Sequence, residues 1–332
     1  MSTAALDVRD LVVEVTRERE RFVPVDRVSL AVERGRSIGL VGESGCGKSM
    51  TLRAVMGLLP DSAKATAGSI LAEGSELPLG GHGAPRARRG RLAMIFQDPA
   101  TSLNPVVPVG TQIAEAPLRV LGMSRSQARA RALELLRLVE IPDPEHRLNS
   151  YPFELSGGTR QRIMIAIALS SQPRILLCDE PTTALDVTIQ AQILRLLKRL
   201  QEDMGLSVVF VTHELAIVGQ LCDHVSVMYA GRIVESGPAQ AVLAGPLHPY
   251  TFGLLRSAVD LDVDVSAPVP IPGSLPDPLR RPAGCSFHPR CFLAGPECAT
   301  TEVELAPCGE GRTTACLHVD QLVGHTKVLA DA

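Results

Sequence analysis

Residues Gly42 to Ser49 read GESGCGKS, matching the pattern G-x-x-x-x-G-K-[ST] at every fixed position. Glycines in such a loop let successive backbone N–H groups turn inward around a polyphosphate, a lysine adds mobile positive charge, and the closing hydroxyl reaches Mg²⁺. An apolar run, Ile38 to Val41, leads into the loop, and a helix-compatible stretch, Met50 to Leu59, follows it. A phosphate held there meets a helix N-terminus, where unpaired N–H groups and the macrodipole favour anions. The expectation is an α/β nucleotide-binding domain whose loop is Gly42, Glu43, Ser44, Gly45, Cys46, Gly47, Lys48 and Ser49, with Cys46 a tolerated variable position.

Upstream, Leu11-Val12-Val13 with Val15, then Val28 to Val32, then Ile38 to Val41 predict short strands, an antiparallel lead-in to the loop. Phe22 is the aromatic of that stretch, placed either to stack on adenine or to pack on the sheet. Downstream, Ala67 to Ile70 reads as a turn into a strand, and Leu79 to Gly90 as a Gly- and Arg-rich loop. Leu92 to Phe96 reads as an apolar strand delivering the amide of Gln97 to the sheet edge where α/β folds bind ligands, within reach of Mg²⁺ or an attacking water. Residues 98–156 then form a helical insertion, clearest where Ala128, Ala132, Leu135, Leu136 and Val139 make one stripe.

Leu155 to Gln161 reads LSGGTRQ. Ser156 suits an N-cap, and Gly157 and Gly158 leave bare N–H groups at the mouth of an apolar helix: a second anion-binding element, or an ordinary capped helix. Ile175 to Cys178 is a buried-strand run that delivers Asp179 and Glu180. In phosphoryl transfer the first carboxylate helps hold Mg²⁺ and the second orients or deprotonates water; a structural salt bridge is the alternative. Thr188 to Met204 is an amphipathic helix, Ser207 to Thr212 a strand presenting His213, and Val225 to Tyr229 with Arg232 to Glu235 a hairpin. Pro238 to Ser257 predicts a short helical tail with no assignable chemistry, and Asp260 to Pro282 a semi-rigid linker rather than a packed element.

The 332 residues, 45 % of them apolar, suit one large domain and a smaller one. A net charge of −3, no Trp and 3 % aromatics argue against a nucleic-acid surface, and the basic run Arg86, Arg88, Arg89 and Arg91 reads as a solvated loop. The opening MSTAALDVRD lacks a basic stretch followed by an apolar core, and no run approaches the about 20 apolar residues that span a bilayer, so a cytosolic chain is expected. Cys285, Cys291, Cys298, Cys308 and Cys316 crowd the last fifth, which in a reducing compartment suggests metal more than disulfides.

GESGCGKS, Gln97, LSGGTRQ, ILLCDE, Ala184-Leu185-Asp186 and His213 follow the order and spacing of the ATP-binding subunits of ABC transporters, a resemblance covering roughly residues 5 to 240. DEPTTALDVTIQAQIL (Asp179 to Leu194), SGGTRQRIMIAIAL (Ser156 to Leu169) and GPLHPYT (Gly245 to Thr251) narrow it to the oligopeptide, dipeptide and nickel uptake group, and more to its first ATPase subunit than to the second. The resemblance implies a P-loop NTPase core over residues 1–257, and composition adds a Pro-rich linker at 258–284 and a Cys-rich region at 285–332. It implies ATP and Mg²⁺ as cofactors, the ion on Ser49, Gln97 and Asp179, with Glu180 polarising water, His213 on the γ-phosphate, and Asp186 in the D-loop. Ser156, Gly157, Gly158 and Gln161 would face the ATP of a second ATP-binding subunit, as heterodimer or homodimer, and Thr159 stands where the group usually has Met. Two transmembrane permease subunits, contacted near Leu103-Asn104-Pro105, and indirectly an extracytoplasmic substrate-binding protein complete the implied assembly, peripheral on the cytoplasmic face of the membrane and powering import of peptides. Import of nickel or another solute, and a soluble ABC ATPase acting on nucleic acid or ribosomes, are the alternatives, the latter disfavoured by a single cassette without a long heptad run. The family also implies a [4Fe–4S] cluster on Cys285, Cys291, Cys298 and Cys316, with Cys308 extra; spacing alone leaves zinc with His288 or His318, or no metal, open.

Overall fold

Ser37–Val41, Leu92–Ile95, Ile175–Asp179 and Ser207–Thr212 are buried at every position, the signature of strands covered on both faces. The computed structural model describes residues 4–18, 20–81, 83–183, 185–257 and 269–323. Over these the chain forms two compact units, one drawn from residues 4–6, 32–36 and 72–209, the other from 7–31, 37–71, 210–257 and 269–323.

In the first unit Leu92–Ile95 and Ile175–Asp179 pair in parallel, Leu92 opposite Ile175 and Ile95 opposite Cys178. Between them in sequence run the helices Val109–Arg119, Arg125–Leu138 and Gly157–Ser170, the helical insertion and the helix behind it. Ile113, Ala128, Ala132, Leu135, Leu136 and Ile163 are fully buried, so the stripe seen in the sequence is the packing face. Ser124 and Gln127 close a reciprocal capping box at the start of the middle helix. The helix Val187–Met204 starts on Asp186, whose carboxylate accepts the Ile189 N–H at 2.9 Å, and stops at Gly205 with φ +63°. Ile193, Leu196, Leu197 and Leu200 are buried along it, each worth roughly 2 kcal/mol relative to exposure, which anchors a helix whose other face is charged.

In the second unit Ser37–Val41 runs parallel to His224–Tyr229, which forms the expected hairpin with Arg232–Pro238. Thr313–Thr314 adds antiparallel to that hairpin, Glu235 opposite Thr314, and Ala306–Pro307 adds to Thr313–Thr314. The Cys-rich C-terminal residues therefore extend the sheet that carries the phosphate loop. Glu20–Glu33, Ala4–Arg17 and Ala63–Ala72 are hydrogen-bonded neighbours in a second sheet, most of which lies in this unit.

Four expectations need correction. The first two short lead-in strands are 14-residue strands, interrupted at Asp10 (φ +45°) and Arg27 (φ +53°), where the inside-outside alternation shifts as it does at a β-bulge, while the third, Ser37–Val41, is short as expected. Gly68 is no turn: it lies inside Ala63–Ala72 with φ +94°, where a Cβ would stand 2.5 Å from the Arg9 carbonyl oxygen. The basic run is not all solvated, since Arg88 is fully buried and donates to the carbonyls of Ala84 at 2.7 Å and Pro78 at 3.0 Å, and burial pulls its pKa down. Of the expected linker, 258–268 lies outside the described residues, but 269–282 packs: Val269 N–H donates to Arg256 O at 3.1 Å, and Arg281 donates to Asp26 at 2.7 Å and to Val23 O at 2.8 Å.

Candidate functional site

The phosphate loop leaves the buried strand Ser37–Val41 and enters the helix Lys48–Met56. Two positions require glycine. A Cβ on Gly42 would lie 2.1 Å from the Met228 carbonyl oxygen, and Gly47, the helix N-cap with φ +115°, would place one 2.3 Å from the Pro24 oxygen. The buried Lys48 ammonium curls over the loop, donating to Gly42 O at 2.7 Å and Glu43 O at 3.0 Å. Ser44 and Gly45 are exposed at the crest, Ser49 is half-buried in the first helical turn, and Cys46 is a buried filler whose thiol burial pushes up. This is an anion cradle with a cation at its mouth. Phe22 is half-buried on the strand Glu20–Glu33, and His213 follows the strand Ser207–Thr212, half-exposed, with Nε2 3.9 Å from Glu214.

Neither the segment around Tyr250 nor Arg290 carried assignable chemistry in the sequence, yet both hold this loop. The Tyr250 hydroxyl accepts the Glu43 N–H at 2.8 Å, and Arg290 forms a two-pronged ion pair with the Glu43 carboxylate at 2.7 and 2.9 Å. Tyr229, Tyr250 and Phe287 pack as one aromatic cluster, ring centroids 4.6 to 5.3 Å apart. Glu235, fully buried, accepts the N–H groups of Leu247 at 2.8 Å and His248 at 3.0 Å and pairs with Arg312 at 2.8 Å. That carboxylate fixes the turn that delivers Tyr250. The only sequence signal for any of this was a Glu inside the phosphate loop, with no hint of its partners.

In the first unit, Asp179 is buried at its strand end and Glu180 follows with φ +45°. The turn aims the Glu180 carboxylate at two donors, Gln97 Nε2 at 3.3 Å and Thr183 Oγ1 at 3.0 Å, so two residues predicted from separate strands meet. A carboxylate steered by an amide and a hydroxyl is arranged to orient a water. Ser156 caps Gly157–Ser170, its Oγ accepting the Thr159 N–H at 3.3 Å and lying 2.8 Å from the Thr159 hydroxyl. Gly157 lies 3.6 Å from Leu185 by the position of a built Cβ, and Gly158 2.8 Å from Ile189, so the glycines also seat the helix. Gln161 departs from expectation: it is 1 % exposed, so the helical turn directs it inward rather than toward a second subunit. Ala184 lies outside the described residues. Leu103 is buried, while Asn104 and Pro105 are exposed.

Cys285, Cys291, Cys298 and Cys316 line one pocket of the second unit with His248, Phe287, His288 and His318. Cys298 Sγ is 3.3 Å from His318 Nε2, the His318 N–H points at Cys316 Sγ at 3.3 Å, and Cys285 N–H donates to Cys298 O at 2.8 Å. Burial pushes the Cys285, Cys291 and Cys316 thiols up, the last two to about 11, so a metal binding them displaces protons. Cys308 is exposed and apart from the set. Among the described residues no three His, Cys, Asp or Glu side chains converge as ligands of one ion. Zinc needs its sulfurs about 2.3 Å from a single centre, whereas a four-iron cluster takes one thiolate per iron around a wider core. The four thiols that line this pocket supply the one thiolate per iron that such a cluster requires.

A family model described as ABC transporter matches residues 25–183, and one described as oligopeptide/dipeptide transporter, C-terminal region, matches residues 234–298. The chain is 47 % identical to a probable peptide ABC transporter ATP-binding protein of Sinorhizobium fredii, covering 96 % of each. It is 45 % identical to the dipeptide transport ATP-binding protein DppD of Bacillus subtilis, covering 98 % of each, and 44 % identical to DppD of Escherichia coli, over 94 % of this chain and 96 % of that one. Among solved structures it is similar to cbiO1 of Clostridium perfringens, part of the ABC transporter complex cbiONQ, with TM-score 0.63, 26 % identity and coverage of 73 % and 92 %. It is also similar to the ATP-binding cassette MJ0796 in a dimeric post-hydrolysis state with ADP and Pi, with TM-score 0.62, 28 % identity and coverage of 70 % and 98 %.

Proposed function

The chain belongs to the ATP-binding subunits of ABC transporters, in the oligopeptide and dipeptide group, and from that premise we propose how it uses ATP to power import of peptides. The observation that carries the proposal is the phosphate loop, with Lys48 folded over a glycine-built cradle at a helix N-terminus. Lys48 and the loop N–H groups bind the β- and γ-phosphates, and Ser49, Gln97 and Asp179 serve the Mg²⁺ ion. Glu180, oriented by Gln97 and Thr183, polarises the attacking water; His213 contacts the γ-phosphate. Ser156, Gly157 and Gly158, not Gln161, face the ATP of a second ATP-binding subunit, which returns its own Ser-Gly-Gly to this loop. MJ0796, the related cassette, is dimeric, which supports this arrangement. The pair works beneath two permease subunits on the cytoplasmic face of the membrane, and no helix among the described residues is long and apolar enough to cross it. Purification of the native membrane complex tests this: permeases and a second ATPase chain should copurify, turnover should depend on Lys48, and the associated binding protein should take peptides. Recovery of the chain with nucleic acid and no permease would overturn it.

Cys285, Cys291, Cys298 and Cys316 would hold a [4Fe–4S] cluster in this proposal, supported by their lining one pocket. Such a cluster would cross-link the C-terminal region when bound. Anaerobic purification followed by iron and acid-labile sulfide assays decides it, and zinc without sulfide rejects it.

A further inference from the structure

Glu43 is a non-glycine member of the phosphate loop, and it is fixed at three separate atoms. Its N–H donates to the Tyr250 hydroxyl at 2.8 Å, its carbonyl accepts Lys48 Nζ at 3.0 Å, and its carboxylate takes both prongs of Arg290. Arg290 is itself immobilised. Its side chain is 5 % exposed, its Nε donates to the Pro272 carbonyl at 2.8 Å, and its guanidinium lies 5.8 Å over Tyr229 and 6.0 Å over Phe287. It sits in the short turn His288–Arg290, between Cys285 and Cys291. A planar guanidinium held this way imposes direction as well as charge on its carboxylate, which a surface ion pair between free side chains does not.

We propose that Arg290 is a positioning residue for nucleotide binding: through Glu43 it holds the phosphate loop and the Lys48 ammonium in their phosphate-ready arrangement, so the affinity of the loop for ATP depends on the Cys-rich C-terminal region. The inference rests on the reading that Gly42 to Ser49 binds the triphosphate. Glu43 transmits the effect, because this one residue carries both the carbonyl that receives Lys48 and the side chain that receives Arg290. A region remote in sequence thereby becomes a structural part of the nucleotide site. An alternative is that the pair only pins the C-terminal region to the unit, as the ion pair of Arg27 with Glu302 does.

The full chain is titrated with a fluorescent ATP analogue and Mg²⁺, and its thermal midpoint is measured without nucleotide. Arg290→Gln and Glu43→Gln should each weaken binding about tenfold, within the usual range for coupling between sites. The double variant should be no weaker than the weaker single variant, and Arg290→Lys should recover part of the loss. Arg27→Gln, which removes a different ion pair to the C-terminal region, should leave affinity unchanged. Arg290→Gln with a lowered midpoint and unchanged affinity overturns the proposal, as does a double variant whose loss is the product of the two singles. Where Arg290→Gln fails to fold, Glu43→Gln removes the same pair from the loop side and carries the test. Lys48→Ala separates the two readings: if it binds the analogue like the wild type, the triphosphate assignment falls, whatever Arg290 does.

Discussion

Replacing Glu180 by Gln changes one oxygen for an NH₂ group of nearly the same size, so its effect can be worked out from the contacts that orient that side chain. The carboxylate accepts from Thr183 Oγ1 at 3.0 Å and from Gln97 Nε2 at 3.3 Å. Both bonds fall on the one oxygen Oε2, so in the variant an amide oxygen at that position accepts from Thr183 and Gln97 as before, and the NH₂ takes the place of the other oxygen. Both hydrogen bonds survive, and the backbone at φ +45°, set by the turn after the strand, is unaffected. Ground-state structure and ATP affinity should therefore stay within about twofold, a difference of roughly 0.4 kcal/mol. What disappears is the negative charge that polarises the water, an interaction that strengthens only as the bond to phosphorus forms. Losing one such contact costs about 10²- to 10³-fold in turnover, or roughly 3 to 4 kcal/mol. Phosphate release by the assembled membrane complex, with ATP binding measured in parallel, reads both quantities. Turnover within about fivefold of wild type refutes the role of Glu180, and a matching loss of ATP affinity refutes the claim that the two hydrogen bonds survive.

Arg312→Gln leaves the fully buried Glu235 without its countercharge and should lower unfolding free energy by roughly 3 to 5 kcal/mol, seen as a large drop in the urea midpoint. Ser156→Ala removes the N-cap of Gly157–Ser170 and should cost about 1 kcal/mol in stability; a variant as stable as wild type would show that the cap is replaced locally. Burial works to raise the Asp26 carboxyl, yet hydrogen bonds and charges from Arg232 and Arg281 hold it below its ordinary value. Its stabilisation is therefore complete above the unfolded-state value of about 4 and is lost as pH falls through the lower folded one; Asp26→Asn should flatten that part of the acid limb of a urea-midpoint profile, and parallel profiles would reject the assignment.

Gly42 to Ser49, Asp179-Glu180 and Ser156 to Gly158 were legible because each is a local pattern whose chemistry depends on adjacent residues at a strand end or helix start. Lead-in strands were read too short because Asp10 and Arg27, in the left-handed region, break the alternation that marks a strand. Arg88 looked solvated because a lone arginine in a basic run carries no sign that backbone carbonyls will surround it. Gln161 follows the glycines in the signature, but helical rotation decides which side chains face outward, and it lands on the buried side. Tyr250 and Arg290 were illegible for a different reason: their partner Glu43 lies 207 and 247 positions away, and only the folded sheet brings them together.

The pairing of Thr313–Thr314 with Arg232–Pro238, and the burial of Glu235 against Arg312, bear on how this family can be recombined. The sequence invites a cut near residue 258, as though the last quarter were an appendage exchangeable between relatives. Such a chimera would open a sheet edge and strand a buried carboxylate unless Glu235, Thr314 and Arg312 travelled with their matching residues. The C-terminal quarter and the hairpin beside it thus constitute one inheritable block, and exchange experiments should place their junctions outside both.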